Sequence, residues 1–293
     1  MSRGEDRLPV RKTYKLYVGG QFPRSESGRS YPVTAGDGSL AAHVVRASRK
    51  DLRDAVVAAR KAYDGWAGRT AFNRGQILYR VAEVMEGRRA QFVEEVAAGG
   101  ASRKAAEREV DVAIDRWVWY AGWADKVAHV AGTVNPVAGP YVNFTSPEPM
   151  GVVGVVCPDE GPLLALVSRL APAVTAGNTV VLLASQRWPL PAVTLSEVLA
   201  TSDLPGGVVN VLTGHRAELV PWLAAHLDVD AVDLTGVDDP ALAAEAEAAG
   251  ADNVKRTVAA SPAERDWTGD RAQSPYAITA LMEMKTVWHP KGA

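Results

Sequence analysis

The chain contains 293 residues, of which 47% are hydrophobic and 23% charged, and its formal net charge is −2. This composition predicts a globular fold of one large or two ordinary domains and excludes a disordered chain, while the single cysteine excludes an internal disulfide. Neutral charge disfavours nucleic acid as a partner, and no apolar run reaches the roughly 20 residues of a membrane span. The charged start, Met1–Asp6, lacks the apolar core of a signal peptide. We therefore expect a cytoplasmic protein.

The first half of the chain has mainly helical patterns. Lys15–Phe22 shows the strand, Gly-Gly turn and second strand of a small hairpin. Apolar residues at helical spacing then predict helices over Ser48–Trp66, Ala71–Gly99 and Ser102–Val127. The third helix carries several aromatic residues close together, and this spacing favours packing over a platform for nucleic-acid bases.

Strands and helices alternate in the second half. Tyr141–Thr145 has the pattern of one strand of an exposed arm. Buried strands are predicted at Val152–Cys157, Asn178–Leu183, Val208–Leu212 and Ala231–Leu234, with helices over residues 161–175 and 189–200 and after Gly214. This alternation predicts an α/β fold with a doubly wound parallel sheet, N-terminal helices and a protruding β-arm.

The pattern fades after Ala249. Residues 251–275 show no hydrophobic period and are rich in turn-forming residues, which predicts a linker or a poorly packed segment. The last element, Ile278–Trp288, is apolar and strand-like.

The loops after the parallel strands form the candidate ligand site, because ligands of such sheets bind beyond the carboxyl ends of the strands. These loops are residues 157–161, 184–187, 213–215 and 235–237. The sequence contains neither G-x-G-x-x-G nor G-x-x-x-x-G-K-[ST], so no phosphate-binding loop of those types is predicted. Helix N-termini at these loops could still accept an anion.

Four blocks of the chain resemble the aldehyde dehydrogenase superfamily in order, spacing and residue choice. They are Gly151-Val-Val-Gly-Val-Val-Cys-Pro158, Leu170-Ala-Pro-Ala-Val-Thr-Ala-Gly-Asn-Thr-Val-Val-Leu182, Leu204-Pro-Gly-Gly-Val-Val-Asn-Val-Leu-Thr-Gly214 and Leu234-Thr-Gly236. The resemblance runs from about Lys15 to Val237 and resumes near Lys285. It implies a Rossmann-like, nicotinamide-binding domain with an oligomerisation arm and a C-terminal tail strand.

The resemblance also implies which residues would contact NAD(P). They are Val156, Cys157, Pro158, Gln186 and Gly236. Gln186 stands where the family has a ribose-binding glutamate, and Gly236 would permit close approach of the backbone. No metal site is implied.

The family's catalytic half, with its nucleophilic cysteine and general-base glutamate, should lie between Val237 and the tail. Too little chain is expected there to build it, and residues 238–275 contain no cysteine. Cys157 ends a predicted buried strand, which favours a core residue over a nucleophile. In the family's Pro-Trp-Asn block, Glu160 replaces the amide donor, and a carboxylate cannot stabilise an oxyanion. Asp159 and Glu160 are interpreted as surface charges, and no catalytic residue is assigned.

Cofactor contacts differ as well. Leu183 aligns with the family's ribose-contacting lysine, Val237 with the serine of its pyrophosphate loop and Ala241 with a motif glycine. Losing two charge-assisted contacts, each worth about 1.5–3 kcal/mol, would weaken binding by roughly two to four powers of ten. Weak or absent NAD(P) binding is therefore expected.

Three functional hypotheses remain open. In the first, the chain is a non-catalytic subunit, similar to the inactive module of tandem aldehyde dehydrogenase proteins, and pairs with an intact aldehyde dehydrogenase through the arm and C-terminal strand. The second is an NAD(P)-dependent oxidoreductase that acts on aldehydes with unidentified residues. The third is a decayed remnant. The predicted organisation is a cofactor-domain-like unit (1–132 and 148–250), an arm and tail (133–147 and 276–293) and a linker (251–275) in place of the catalytic domain.

Overall fold

A computed structural model describes residues 12–291, so the charged start Met1–Asp6 and the final residues of the predicted tail lie outside the described residues. Within this range, no helix combines the length and the apolar character that a membrane span requires.

The described residues form ten α-helices and ten β-strands. The helices are α1 (Arg49–Ala67), α2 (Ala71–Gly87), α3 (Arg89–Ala98), α4 (Arg103–Trp123), α5 (Val127–Ala131), α6 (Leu164–Thr175), α7 (Leu190–Ala200), α8 (Arg216–Ala225), α9 (Pro240–Ala251) and α10 (Pro275–Thr279), with a 3₁₀ turn at Asp270–Ala272. The strands are β1 (Ser30–Thr34), β2 (Leu40–Val45), β3 (Thr133–Asn135), β4 (Tyr141–Pro149), β5 (Val152–Val156), β6 (Thr179–Leu183), β7 (Val209–Leu212), β8 (Ala231–Asp233), β9 (Arg256–Val258) and β10 (Met282–Pro290).

The described residues form a parallel sheet of five strands in the order β7-β6-β5-β8-β9. Its three central strands are fully buried on both faces and are apolar except for Thr179 and Asp233, as expected for strands covered by helices on each side. Chain order runs outward from β5 to β7 and then resumes with β8 on the other side of β5. The strand order therefore reverses between β5 and β8, where open α/β sheets have their ligand crevice.

Two apolar layers enclose this sheet. One joins it to α6, α7 and the N-terminal helices α2–α4, and includes Trp66, Trp117 and Tyr120, all three fully buried or nearly so. The aromatic residues of α4 therefore serve packing, as predicted. The other layer joins the sheet to α1, α8 and α9. The predicted doubly wound α/β fold is confirmed.

Strands β3, β4 and β10 form a separate antiparallel sheet, which we call the arm sheet. β10 pairs with β4 over its whole length, from Met282 opposite Pro149 to Pro290 opposite Tyr141. β3 pairs with β4 over Thr133–Asn135 only. The segments predicted as arm and tail are thus joined in one sheet.

Two predicted boundaries were wrong. The helix predicted over Ala71–Gly99 is two helices, because Arg88 leaves the helical region after Gly87, a weak helix former. The strand predicted from Ile278 starts only at Met282, since Ser274 caps a short helix in which Ile278 is fully buried. The predicted hairpin at Lys15–Phe22 is present in a minimal form, with an antiparallel Val18–Gln21 bridge around its glycine turn and a bond from the Leu16 amide to the Pro23 carbonyl.

The predicted linker 251–275 is packed against the domain. It contributes β9, which pairs with β8 in the parallel sheet. Trp267, which is 9% exposed, also lies in this segment, and its ring carbon Cδ1 would be 3.3 Å from a Cβ built on Gly161. This packing was not predictable from the sequence, because a three-residue strand and one tryptophan produce no hydrophobic period.

Candidate functional site

The loops after β5 and β8 meet at the point where the strand order reverses. The Gly236 amide donates to the Val156 carbonyl at 2.9 Å. A Cβ built on Gly236 would lie 2.2 Å from the Cys157 carbonyl oxygen and 2.7 Å from the Pro158 nitrogen. Only glycine fits there, so four of the five predicted site residues are brought together by direct backbone contact.

Arg216, the first residue of α8, extends across the same loops. Its Nη2 donates to the Cys157 carbonyl at 2.5 Å and to Asp159 Oδ1 at 2.8 Å, and its Nη1 donates to Asp159 Oδ2 at 2.8 Å. The last two bonds are a bidentate guanidinium–carboxylate pair, the strongest geometry for such a pair. The Arg216 side chain is 13% exposed. The guanidinium thus lies against the carbonyl that Gly236 also contacts.

Asp159 is held from several sides. Its Oδ1 also accepts bonds from the Ser185 hydroxyl at 2.7 Å and the Arg187 amide at 3.2 Å. Burial alone would raise the pKa of Asp159, but these bonds and the charge of Arg216 bring the pKa below its ordinary value. The interpretation of Asp159 as a surface charge was therefore wrong, whereas Glu160 is exposed as expected.

Gln186 lies on the other side of Arg216. Its Oε1 accepts the backbone amide of Arg216 at 2.9 Å, at the N-terminus of α8. The Gln186 side chain thereby satisfies one of the free amides of the helix start. The fifth predicted site residue is thus connected to the others through Arg216.

Cys157 is fully buried, and its side chain belongs to the apolar layer around α6. Burial raises the pKa of the Cys157 thiol far above its ordinary value; the charge of Arg216 lowers it by a smaller amount, and the charge of Asp233 adds to the rise. Because the thiolate is the nucleophilic form, we expect this thiol to react slowly in the folded chain. The core interpretation of Cys157 agrees with its position.

Residues 260–267 cover the β8 side of the crevice. Arg265 Nη2 donates to the Thr235 carbonyl at 2.7 Å, and its Nη1 pairs with Asp238 at 3.2 Å. The Ala260 amide donates to Thr235 Oγ1 at 2.8 Å. The loop that contains Gly236 is therefore held by this segment on one side and by β5 on the other.

Sequence reasoning found the loops but missed Arg216, Arg265 and Trp267. Arg216 directly follows a loop that was singled out, and its charge at the start of a helix was a usable signal. Its partner Asp159 lies 57 positions away, and nothing in their spacing predicts that pairing.

The model of the aldehyde dehydrogenase family matches residues 24–264 of the chain. The chain belongs to this family. Human retinal dehydrogenase 2 is 34% identical over 251 residues, which are 84% of this chain and 48% of that protein.

Solved aldehyde dehydrogenase-like structures share the fold. PnpE, which is known from Pseudomonas sp. WBC-3, superposes in its complex with nicotinamide adenine dinucleotide with a TM-score of 0.79 and 28% identity, over 85% of this chain and 50% of that one. The NAD+ complex of the Bacillus cereus aldehyde dehydrogenase superposes with a TM-score of 0.78 and 25% identity, over the same shares. The chain spans about half the length of these relatives.

Proposed function

We propose that this aldehyde dehydrogenase family chain is a non-catalytic subunit that associates with an intact aldehyde dehydrogenase through its arm sheet. The observation that carries the proposal is the arm sheet itself, which exposes apolar side chains on both faces. Exposed apolar clusters rimmed by polar residues mark interaction sites on soluble proteins.

One face of the arm sheet carries an apolar row across all three strands. Val134 and Val287 both lie opposite Phe144 in the strand register. Their exposed fractions are 80% for Val134, 37% for Val287 and 40% for Phe144. Val142 on the same face is also exposed. Within the described residues, no helix or sheet covers this row.

The opposite face has a second exposed group. Trp288 is 59% exposed and packs edge-to-face on Tyr141, with ring centroids 5.8 Å apart. Met284 lies four residues before Trp288 in β10, so its side chain is on the same face, and it is also exposed. A partner that encloses the arm would bury both faces.

The edge of the arm sheet supports the same partner. β10 is one of the two outer strands, and among the described residues no strand pairs with its free edge. Unpaired strand edges are sites where another chain adds a strand. The family resemblance supplies the receiver, because arm strands of one subunit extend the catalytic-domain sheet of another. An intact aldehyde dehydrogenase has such a sheet.

Two features support a non-catalytic role. The only cysteine of the chain is Cys157, which is buried at the base of the crevice. The chain also passes from β9 to β10 through residues 259–281, which form only a 3₁₀ turn and α10 as regular structure. The chain therefore has no accessible thiol of the kind with which the family attacks an aldehyde. The cytoplasmic location expected from the sequence remains a prediction.

We further infer that NAD(P) binds weakly. Leu183 and Val237, at two positions where the family has polar contacts, are apolar and buried. Asp159 neutralises the Arg216 guanidinium at the crevice, so this arginine offers no net positive charge to the phosphates of a dinucleotide. Gly236 allows close approach, but the Cys157 backbone already uses that space.

Co-purification tests the proposed function. The tagged chain is co-expressed with a full-length aldehyde dehydrogenase of the same organism, and the complex is isolated by affinity and size-exclusion chromatography. We expect a stable hetero-oligomer. The double variant Phe144→Glu/Val287→Glu should reduce recovery of the partner at least tenfold, because it places charges in the apolar row.

Leu227→Glu is the matched control. Leu227 is 80% exposed and lies between α8 and β8, away from the arm sheet. This variant should retain the partner in full. A chain that stays monomeric and soluble beside the intact enzyme contradicts the proposal, and so does equal loss of binding in both variants.

A further inference from the structure

We propose that the Arg216 side chain, fixed by Asp159, occupies the part of the ligand crevice that the pyrophosphate of a dinucleotide would need. We call this ion pair the crevice latch. The inference deepens, and rests on, the proposal of weak NAD(P) binding, and it names the residues that determine it.

The Arg216 guanidinium lies in the ligand crevice. The crevice of an open α/β sheet lies where the strand order reverses, which here is between β5 and β8. The Cys157 carbonyl follows β5 and the Gly236 backbone follows β8. The Arg216 guanidinium lies 2.5 Å from that carbonyl. Arg216 begins α8, which follows the edge strand β7, and its backbone amide is bound by Gln186 in the loop after β6. From there the side chain extends to the loop after β5, so the guanidinium lies in the crevice.

Hydrogen bonds hold both Arg216 and Asp159 in place. Asp159 accepts both terminal nitrogens of Arg216. Ser185 and the Arg187 amide orient the carboxylate from the opposite side. Gln186 holds the Arg216 backbone amide. An arginine with its main chain, its charge and its partner all fixed costs more to displace than an exposed one, because each displaced group must find a new partner.

The charges of the ion pair also disfavour a bound phosphate. A free arginine at a helix N-terminus would attract a phosphate. Here Asp159 already neutralises Arg216. A phosphate that displaced the guanidinium would face the Asp159 carboxylate, and like charges at contact distance repel. The latch therefore excludes an anion in two ways, by volume and by charge.

The position, the hydrogen bonds and the charge of the crevice latch predict an order of NAD+ affinity among variants. Arg216→Gly alone opens space but leaves the carboxylate unpaired, so it should gain little affinity for NAD+. Asp159→Asn keeps the shape of the side chain and removes the charge, so Arg216 becomes available to a phosphate, and affinity should rise a few-fold. Asp159→Asn/Arg216→Gly removes both obstacles and should bind NAD+ at least tenfold more tightly than the unmodified chain.

Isothermal titration calorimetry with NAD+ on the purified full chain measures this order. Arg46→Ala is the matched control, since Arg46 forms an ion pair with Glu218 of the same helix α8 outside the crevice. It should leave NAD+ affinity unchanged. Thermal unfolding of each variant verifies that it is folded, and Asp159→Asn, the nearly isosteric change, provides the test if the double variant unfolds.

The outcomes separate the two proposals. Micromolar NAD+ affinity of the unmodified chain contradicts weak cofactor binding and the latch together. Weak binding by the unmodified chain and by folded Asp159→Asn and double variants alike contradicts the latch only. The predicted affinity order, with Arg46→Ala unchanged, supports both. None of these results depends on whether the chain binds an intact aldehyde dehydrogenase.

Discussion

Arg169 and Asp233 form an ion pair beneath the carboxyl end of the parallel sheet, with 2.6 Å between Arg169 Nε and Asp233 Oδ2. The Asp233 side chain is fully buried, and the Arg169 side chain is 10% exposed. Asp233 Oδ1 also accepts the Thr235 amide at 3.0 Å. One carboxylate thus fixes both α6 and the start of the loop that leads to Gly236.

We predict that Asp233→Ala lowers the free energy of unfolding by about 3–5 kcal/mol, because it leaves the Arg169 charge buried without its partner. Urea denaturation measures the change. The control is Asp111→Ala, which breaks an exposed pair with Arg89 and should cost about 0–1 kcal/mol. Equal costs for the two variants would show that the buried pair is not special.

Gly236→Ala should also destabilise the fold. The added methyl would lie 2.2 Å from the Cys157 carbonyl oxygen, so the two loops must separate, at a cost of about 1–3 kcal/mol. Gly65→Ala is the control, since its methyl would meet open space within α1, and it should stabilise by about 0.5–1 kcal/mol. Chemical denaturation of both variants tests the prediction. A neutral Gly236→Ala would mean that the loops do not touch.

Cys157 should resist thiol reagents in the folded chain. Its side chain is fully buried and its pKa is raised by that burial, so little thiolate forms at pH 8. With Ellman's reagent we expect no fast reaction in native buffer and one equivalent in 6 M guanidinium chloride, because the chain has a single cysteine. Rapid stoichiometric labelling of the native protein would restore this thiol as a candidate nucleophile.

Trp267→Ala tests whether the predicted linker is structural. The indole is 9% exposed beside Gly161, and its removal should cost about 3 kcal/mol through lost burial and a cavity. Tyr276→Ala, at a side chain that is 80% exposed, should change stability by less than about 0.5 kcal/mol. Thermal and urea unfolding measure both. If Trp267→Ala behaves like Tyr276→Ala, the segment is a linker after all.

The fold was largely predictable because its signals are local. Runs rich in β-branched residues at Val152–Val156 and Thr179–Leu183, alternating with helical periods, specify buried parallel strands. β9 was missed because its three residues are only partly buried and derive their structure from pairing with β8. Such a strand is specified by its neighbour and not by its own composition.

The candidate site was predictable only in part. Strand ends identified the loops of Cys157 and Gly236, since the topology of a parallel sheet brings those ends together. The crevice latch was not predictable, because the contact between Arg216 and Asp159 depends on how far α8 lies from the β5 loop. The family resemblance predicts which cofactor contacts differ, but it does not predict that the Arg216 side chain extends to Asp159.

Hydrogen–deuterium exchange of the chain, alone and mixed with an intact aldehyde dehydrogenase of the same organism, tests the central claim most directly. In the described structure no strand pairs with the outer edge of β10. We predict that amides of residues 282–289 exchange at least tenfold more slowly in the mixture, while those of residues 241–251 in α9 are unchanged. Unchanged exchange over residues 282–289 at saturating partner would contradict the proposed role of the arm sheet.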